Sequence, residues 1–114
     1  MKKVVLIIDD DEAFSFLLSR ILIKTNHVVW LAKTIESGME FLSEKAPDIV
    51  FLDNQLPDGL GWGKAAHILE AYPDIQLNLI SALEVPKTST LTFRIIEKQV
   101  LLEELHAGDV AASA

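Results

Sequence analysis

Five polar side chains stand where four apolar runs end. Asp9 and Asp10 follow Lys3–Ile8, Asp53 closes DIVFLD, Ser81 follows Ile75–Ile80, and Lys98 lies just beyond Leu91–Ile96. Three carboxylates brought within a few ångströms repel one another unless a cation sits among them. A donor set made only of oxygen suits a hard cation, Mg²⁺ above all. A carboxylate beside such a cation can attack a phosphoryl group and form an acyl phosphate. An ammonium and a hydroxyl would then steady the oxygens of the transferred group. Solvated strand ends also collect polar residues, but all five in this order argue for a built site.

The elements that must position these groups alternate along the whole chain. Lys3–Ile8 reads as a strand apolar on both faces. A helix follows from Asp11 to about Thr25, with Phe14, Leu17, Leu18, Ile21 and Leu22 as its core stripe. His27–Leu31 is a second strand. Thr34 caps a helix to about Lys45, which Ala46-Pro47 stops. Asp48–Asp53 is the third strand, Asn54–Gly61 a loop, and Trp62 to about Tyr72 a helix. Ile75–Ile80 and Leu91–Ile96 are the fourth and fifth strands. Gln99–His106 is a short last helix, and Gly108–Ala114 a small-residue tail. This alternation predicts one α/β domain over residues 1–114, with a parallel sheet and helices on both faces. In such sheets function collects at the carboxyl ends of the strands.

Composition narrows the function. Ten Lys and Arg against 17 Asp and Glu leave a net charge of −7. That sign opposes a nucleic-acid binder or a basic membrane-surface protein. With no cysteine, thiolate catalysis and Cys-ligated zinc are excluded. His27, His67 and His106 are far apart and read as structural or solvated. Five apolar residues ended by four acids make a buried strand, not a signal peptide, so the chain reads as soluble and cytoplasmic.

The segments LIIDDDEAFSFLLSRIL, DIVFLDNQLPDGLGW and LISALE, with Lys98, resemble the receiver domain of two-component response regulators over essentially the whole chain. The resemblance implies a flavodoxin-like, doubly wound, five-stranded parallel sheet in order 2-1-3-4-5. It implies a phosphorelay switch rather than an enzyme. Asp53, 44 residues after Asp9, matches the phospho-accepting aspartate. Asp10 matches the direct Mg²⁺ ligand, Asp9 the second acid, and Gln55 the residue whose backbone carbonyl completes the metal site. Ser81, followed by Ala82, matches the switch hydroxyl, and Lys98 the lysine that contacts a phosphoryl oxygen. Pro57, Gly59 and Gly61 match the shaped loop after the acceptor. The implied partners are a histidine kinase or histidine phosphotransfer protein, and a downstream protein or an output domain outside these residues.

Three departures stand out. Gln99 follows Lys98 where the family has Pro, so Lys98 is aimed differently or keeps a costly cis bond. Only 17 residues separate Ser81 from Lys98, and Glu84–Thr90 has no helical period, so the fourth helix is expected to be shortened or absent. Gln76 and Asn78 fit a thin cover on that side. Ile95 occupies the position of the family's switch aromatic, which weakens the coupling of a hydroxyl swing to the fifth strand. On the first helix, Phe16 and Ile23 fall outside the core stripe and offer a partner face. Trp62 reads as a half-buried residue at a helix start or as a partner contact. The competing function is a receiver-like binding module that recognises its partner without phosphorylation.

Overall fold

The computed structural model describes residues 2–82 and 94–113, with side chains described as far as His106. Runs of Val, Ile and Leu form the strands β1 (Lys3–Ile8), β2 (His27–Ala32), β3 (Ile49–Asp53), β6 (Gln76–Ser81) and β7 (Arg94–Glu97). All pair in parallel, in the order β2-β1-β3-β6-β7. Counted within the sheet, this is the expected 2-1-3-4-5. Two dipeptide strands, β4 (Gln55–Leu56) and β5 (Gly59–Leu60), form a small antiparallel ribbon inside the loop after β3.

Helices cover both faces, which explains why the central strands are mostly apolar. On one face α2 (Ile35–Lys45) and α3 (Ala65–Ala71) pack Leu42, Ala65 and Ile68 on Leu6, Ile8, Val50, Leu52, Leu77 and Leu79. On the other, α1 (Glu12–Lys24) and α4 (Lys98–Ser113) pack Phe14, Leu18, Leu22 and Leu101 on Val5, Ile7, Phe51, Ile80 and Ile96. Asp11 caps α1, its side chain accepting from the Phe14 amide. Thr34 and Ser37 form a capping box at the start of α2. Ala46, in the left-handed conformation with Pro47 behind it, ends that helix.

Several expectations need correction. Leu17 is not in the core stripe: it is half exposed, and Ser15 and Ser19 are buried instead. The buried line of α1 runs 14-18-22 with 15-19 beside it, which turns position 17 outward. The helix after Gly61 begins as a 3₁₀ turn over Gly61–Lys64 and becomes α-helical only at Ala65. The last helix is not short. It runs for 16 residues through Gly108 to Ser113. The alanine-rich end favours helix, no proline interrupts it, and one glycine costs only about 1 kcal/mol.

Asn78 is correctly placed in a central strand but does not face a thin cover. It is buried, on the Phe51 and Ile96 side beneath α1 and α4, and its Nδ2 donates to the Val50 carbonyl at 3.5 Å. Gln76, at the start of the strand, is exposed. The expectations for a missing fourth helix, for Glu84–Thr90 and for strand residues Leu91–Phe93 fall outside the described residues. Among the described residues, no helix is long and apolar enough to cross a membrane.

Candidate functional site

The parallel register brings the strand ends level. Ile8 pairs with Leu52, so Asp9 and Asp53 leave the sheet side by side, and Ile80 pairs with Asp53. Asp9 is fixed twice: its amide donates to the Ala32 carbonyl at 2.9 Å, and its Oδ1 accepts from the Asp11 amide at 3.0 Å. Carboxylate oxygens of Asp9, Asp10 and Asp53 all lie within 4.8 Å of one another. Asp9 and Asp53 are buried, whereas Asp10 is exposed.

Lys98, the first residue of α4, is buried and points into this cluster. Its Nζ stands 2.7 Å from Asp9 Oδ2 and 3.6 Å from Asp53 Oδ1. The closer pairing lacks hydrogen-bond alignment, and Asp9 Oδ2 is a buried acceptor with no hydrogen bond. The same ammonium lies 4.9 Å from the centre of the Phe14 ring. Among the described residues, one cation thus faces three acids. Burial, followed by the charge of Asp9, pushes the Asp53 carboxyl from 3.8 up to about 6, with Asp10 adding to the rise. Lys98 and the Asn54 backbone hold it back. The excess negative charge and three carboxylates within 4.8 Å fit a small hard cation held by oxygen donors.

The loop after Asp53 is braced from three sides. Gly61 donates to the Asn54 carbonyl at 2.7 Å, and the amide of Trp62 to Asn54 Oδ1 at 3.2 Å. A Cβ on Gly61 would meet the Asp53 carbonyl oxygen at 2.1 Å, so that position admits only glycine. The half-buried Trp62 donates its Nε1–H to the Leu52 carbonyl at 3.2 Å, which gives it a structural anchor. At the tip, Asp58 accepts from the amides of Ile35 and Glu36 at 2.8 and 3.0 Å, and these bonds hold its carboxyl below the ordinary range. Gln55 sits in β4, exposed and paired with Leu60.

The other expected positions are placed as follows. Ser81 ends β6, half-buried and in register with Glu97; Ala82 is exposed after it. Ile95 packs against the core on the α2 and α3 face. No cis peptide bond occurs among the described residues, so Lys98–Gln99 is trans. Phe16 and Ile23 are both more than half exposed. Leu17, expected in the core, and Leu31 are exposed as well. His67 and His106 are exposed, while His27 Nδ1 lies 3.0 Å from Thr25 Oγ1 and 3.2 Å from the Leu22 carbonyl at the end of α1. The roles of Asp11 and Phe14 around the site went unnoticed, although an acid at a helix start is a recognisable cap signal.

A family model described as "Response regulator receiver domain" matches residues 5–107. The chain belongs to that family. This receiver domain is 27% identical over 108 residues to the photosynthetic apparatus regulatory protein RegA of Rhodovulum sulfidophilum, covering 95% of this chain and 59% of the relative. RegA of Rhodobacter capsulatus is 24% identical over 105 residues, covering 92% of this chain and 57% of the relative. The receiver domain therefore spans somewhat less than three-fifths of the length of these curated relatives. Among solved structures it resembles a CheY-like response regulator receiver domain protein from Methanospirillum hungatei, with a TM-score of 0.75, 19% identity, and 97% and 96% of the two chains covered. It also resembles the BeF₃-activated receiver domain of Klebsiella pneumoniae RstA, with a TM-score of 0.75, 22% identity, and 93% and 97% covered. These two likenesses support the fold.

Proposed function

We propose that this receiver domain accepts a phosphoryl group on Asp53, in a reaction that requires Mg²⁺, and signals by a change of conformation. The observation that carries the proposal is the paired burial of Asp9 and Asp53 with Lys98 between them. Burial and Asp9 raise the Asp53 carboxyl to about 6, while Lys98 opposes the rise and favours the carboxylate that acts as nucleophile. An Asp53 oxygen attacks the phosphorus of a phosphohistidine on a kinase or phosphotransfer protein. The P–N bond breaks, its electron pair stays with the imidazole, and an acyl phosphate forms on Asp53. Mg²⁺, when bound, neutralises charge on the transferred oxygens. Asp10, Asp9, Asp53 and the backbone carbonyl of Gln55 would hold it. Lys98, 3.6 Å from Asp53, would pair with a phosphoryl oxygen, and Ser81 would donate a hydrogen bond to another.

The donor protein is proposed to dock on the outer face of α1. Phe16, Leu17 and Ile23 are exposed there, and a crevice of about 500 Å³, lined by Asp9, Ala13, Phe16, Leu31 and Lys33, opens beside the acid cluster. Incubation with acetyl phosphate and Mg²⁺ tests the function. Intact-mass measurement is expected to show one added phosphoryl group, lost without Mg²⁺ and absent from Asp53→Asn. An unmodified parent chain would favour the alternative, a receiver-like module that binds its partner without phosphorylation.

A further inference from the structure

Four residues close a ring around the site. Asp9 Oδ1 accepts from the Asp11 amide, Asp11 Oδ1 accepts from the Phe14 amide at 3.1 Å, the Phe14 ring faces Lys98 Nζ at 4.9 Å, and Lys98 returns to Asp9 Oδ2 at 2.7 Å. Three links of this ring are electrostatic contacts between polar groups. The fourth is an aromatic face, and it belongs to a residue buried to 5% exposure. Packing alone would account for a buried side chain here, but not for a ring face turned to an ammonium.

We propose that Phe14 is a positioning residue: its ring face holds the Lys98 ammonium at the acceptor. Lys98 needs such support for two reasons. It opens α4, where the helix dipole disfavours a cation. Its ion pair with Asp9 lacks hydrogen-bond alignment, so the carboxylate attracts the ammonium without fixing its direction. The negative face of an aromatic ring attracts an ammonium within about 6 Å, most strongly where water is excluded. That attraction does not depend on the charge of Asp9 or on what Asp9 binds. The ring therefore keeps the ammonium near Asp53 when Asp9 is engaged elsewhere.

The inference rests on the phosphoacceptor reading for its functional consequence, but the contact can be tested without it. A double-mutant cycle combines Phe14→Leu with Lys98→Met, and Phe14→Tyr and pentafluorophenylalanine at position 14 are added in the Lys98 background. Phosphorylation by acetyl phosphate at saturating Mg²⁺ is expected to slow about five- to thirtyfold in Phe14→Leu. It should slow further with pentafluorophenylalanine, whose ring has the inverted quadrupole, and recover in Phe14→Tyr. In the Lys98→Met background, leucine and phenylalanine at position 14 should give the same rate. A purely structural Phe14 would leave its loss undiminished there, and that result overturns the inference. Equal rates for phenylalanine and pentafluorophenylalanine also overturn it. If the parent takes no phosphoryl group, the proposed function fails while the cycle is read from urea unfolding. A coupling between positions 14 and 98 then supports the contact, and zero coupling refutes it.

Discussion

Replacing Asp53 with asparagine should stabilise the metal-free protein at neutral pH, and should do nothing below about pH 4. The Asp53 carboxyl is raised from 3.8 to about 6, chiefly by burial and by Asp9. A carboxyl raised on folding binds its proton more tightly in the native state. Its stabilising contribution is complete below about pH 4 and is lost as pH rises through about 6. Above that the native protein carries a charge it disfavours. A rise of about 2 units corresponds to a ceiling of about 3 kcal/mol at ~1.36 kcal/mol per unit. Water at the open strand edge screens part of this, leaving about 1–3 kcal/mol. The loss of the 3.6 Å contact with Lys98 is already contained in the net shift, and Lys98 keeps its closer partner Asp9. Urea unfolding at unit steps from pH 4 to pH 8, with chelator, measures the effect. The gain of Asp53→Asn over the parent should grow between pH 4 and 6 and level off above. Mg²⁺ should then stabilise the parent more than the variant and narrow the gap. A variant less stable than the parent at pH 7.5, or a difference independent of pH, would refute the electrostatic reasoning.

Three further outcomes are expected. Gly61→Ala forces a Cβ against the Asp53 carbonyl oxygen, and should lower unfolding stability by about 1–3 kcal/mol in urea and slow phosphorylation, since backbone cannot yield as a side chain can. Asp58→Ala should speed hydrogen exchange at the Ile35 and Glu36 amides but leave Ser37 protected, because Thr34 still accepts from Ser37. Phe16→Glu should weaken transfer from a phosphorylated kinase or phosphotransfer protein about tenfold, and slow transfer from acetyl phosphate far less, as measured by initial rates with each donor.

The sheet was legible because the central strands are mostly apolar on both faces, as the run Val4–Ile8 shows, and because acids end the first and third runs abruptly. The acid cluster was legible for the same reason: parallel register places Asp9 beside Asp53 once the strands are assigned. The face that α1 turns inward was harder to read. Apolar residues occur nearly all round that helix, so only the sheet decides that Leu18 is buried and Leu17 exposed. Ser15 and Ser19 carry no sequence sign of burial. Asn78 shows its polarity in the sequence but not which face it occupies, since neighbouring residues alternate sides. The extent of α4 was misjudged by reading Gly108 as a stop, although one glycine in an alanine-rich stretch is a weak one. The contacts of Phe14 with Lys98 and of Asp58 with α2 join residues far apart in the chain. No local pattern announces them.

The most direct measurement locates the phosphoryl group by residue. After incubation with acetyl phosphate and Mg²⁺, borohydride reduces an aspartyl phosphate to homoserine, and peptide mass spectrometry finds the changed position. Homoserine at position 53, and at no other aspartate, is the expected result. Homoserine at position 9 or 10, or none in a chain shown to be folded, would contradict the assignment of Asp53 as the acceptor.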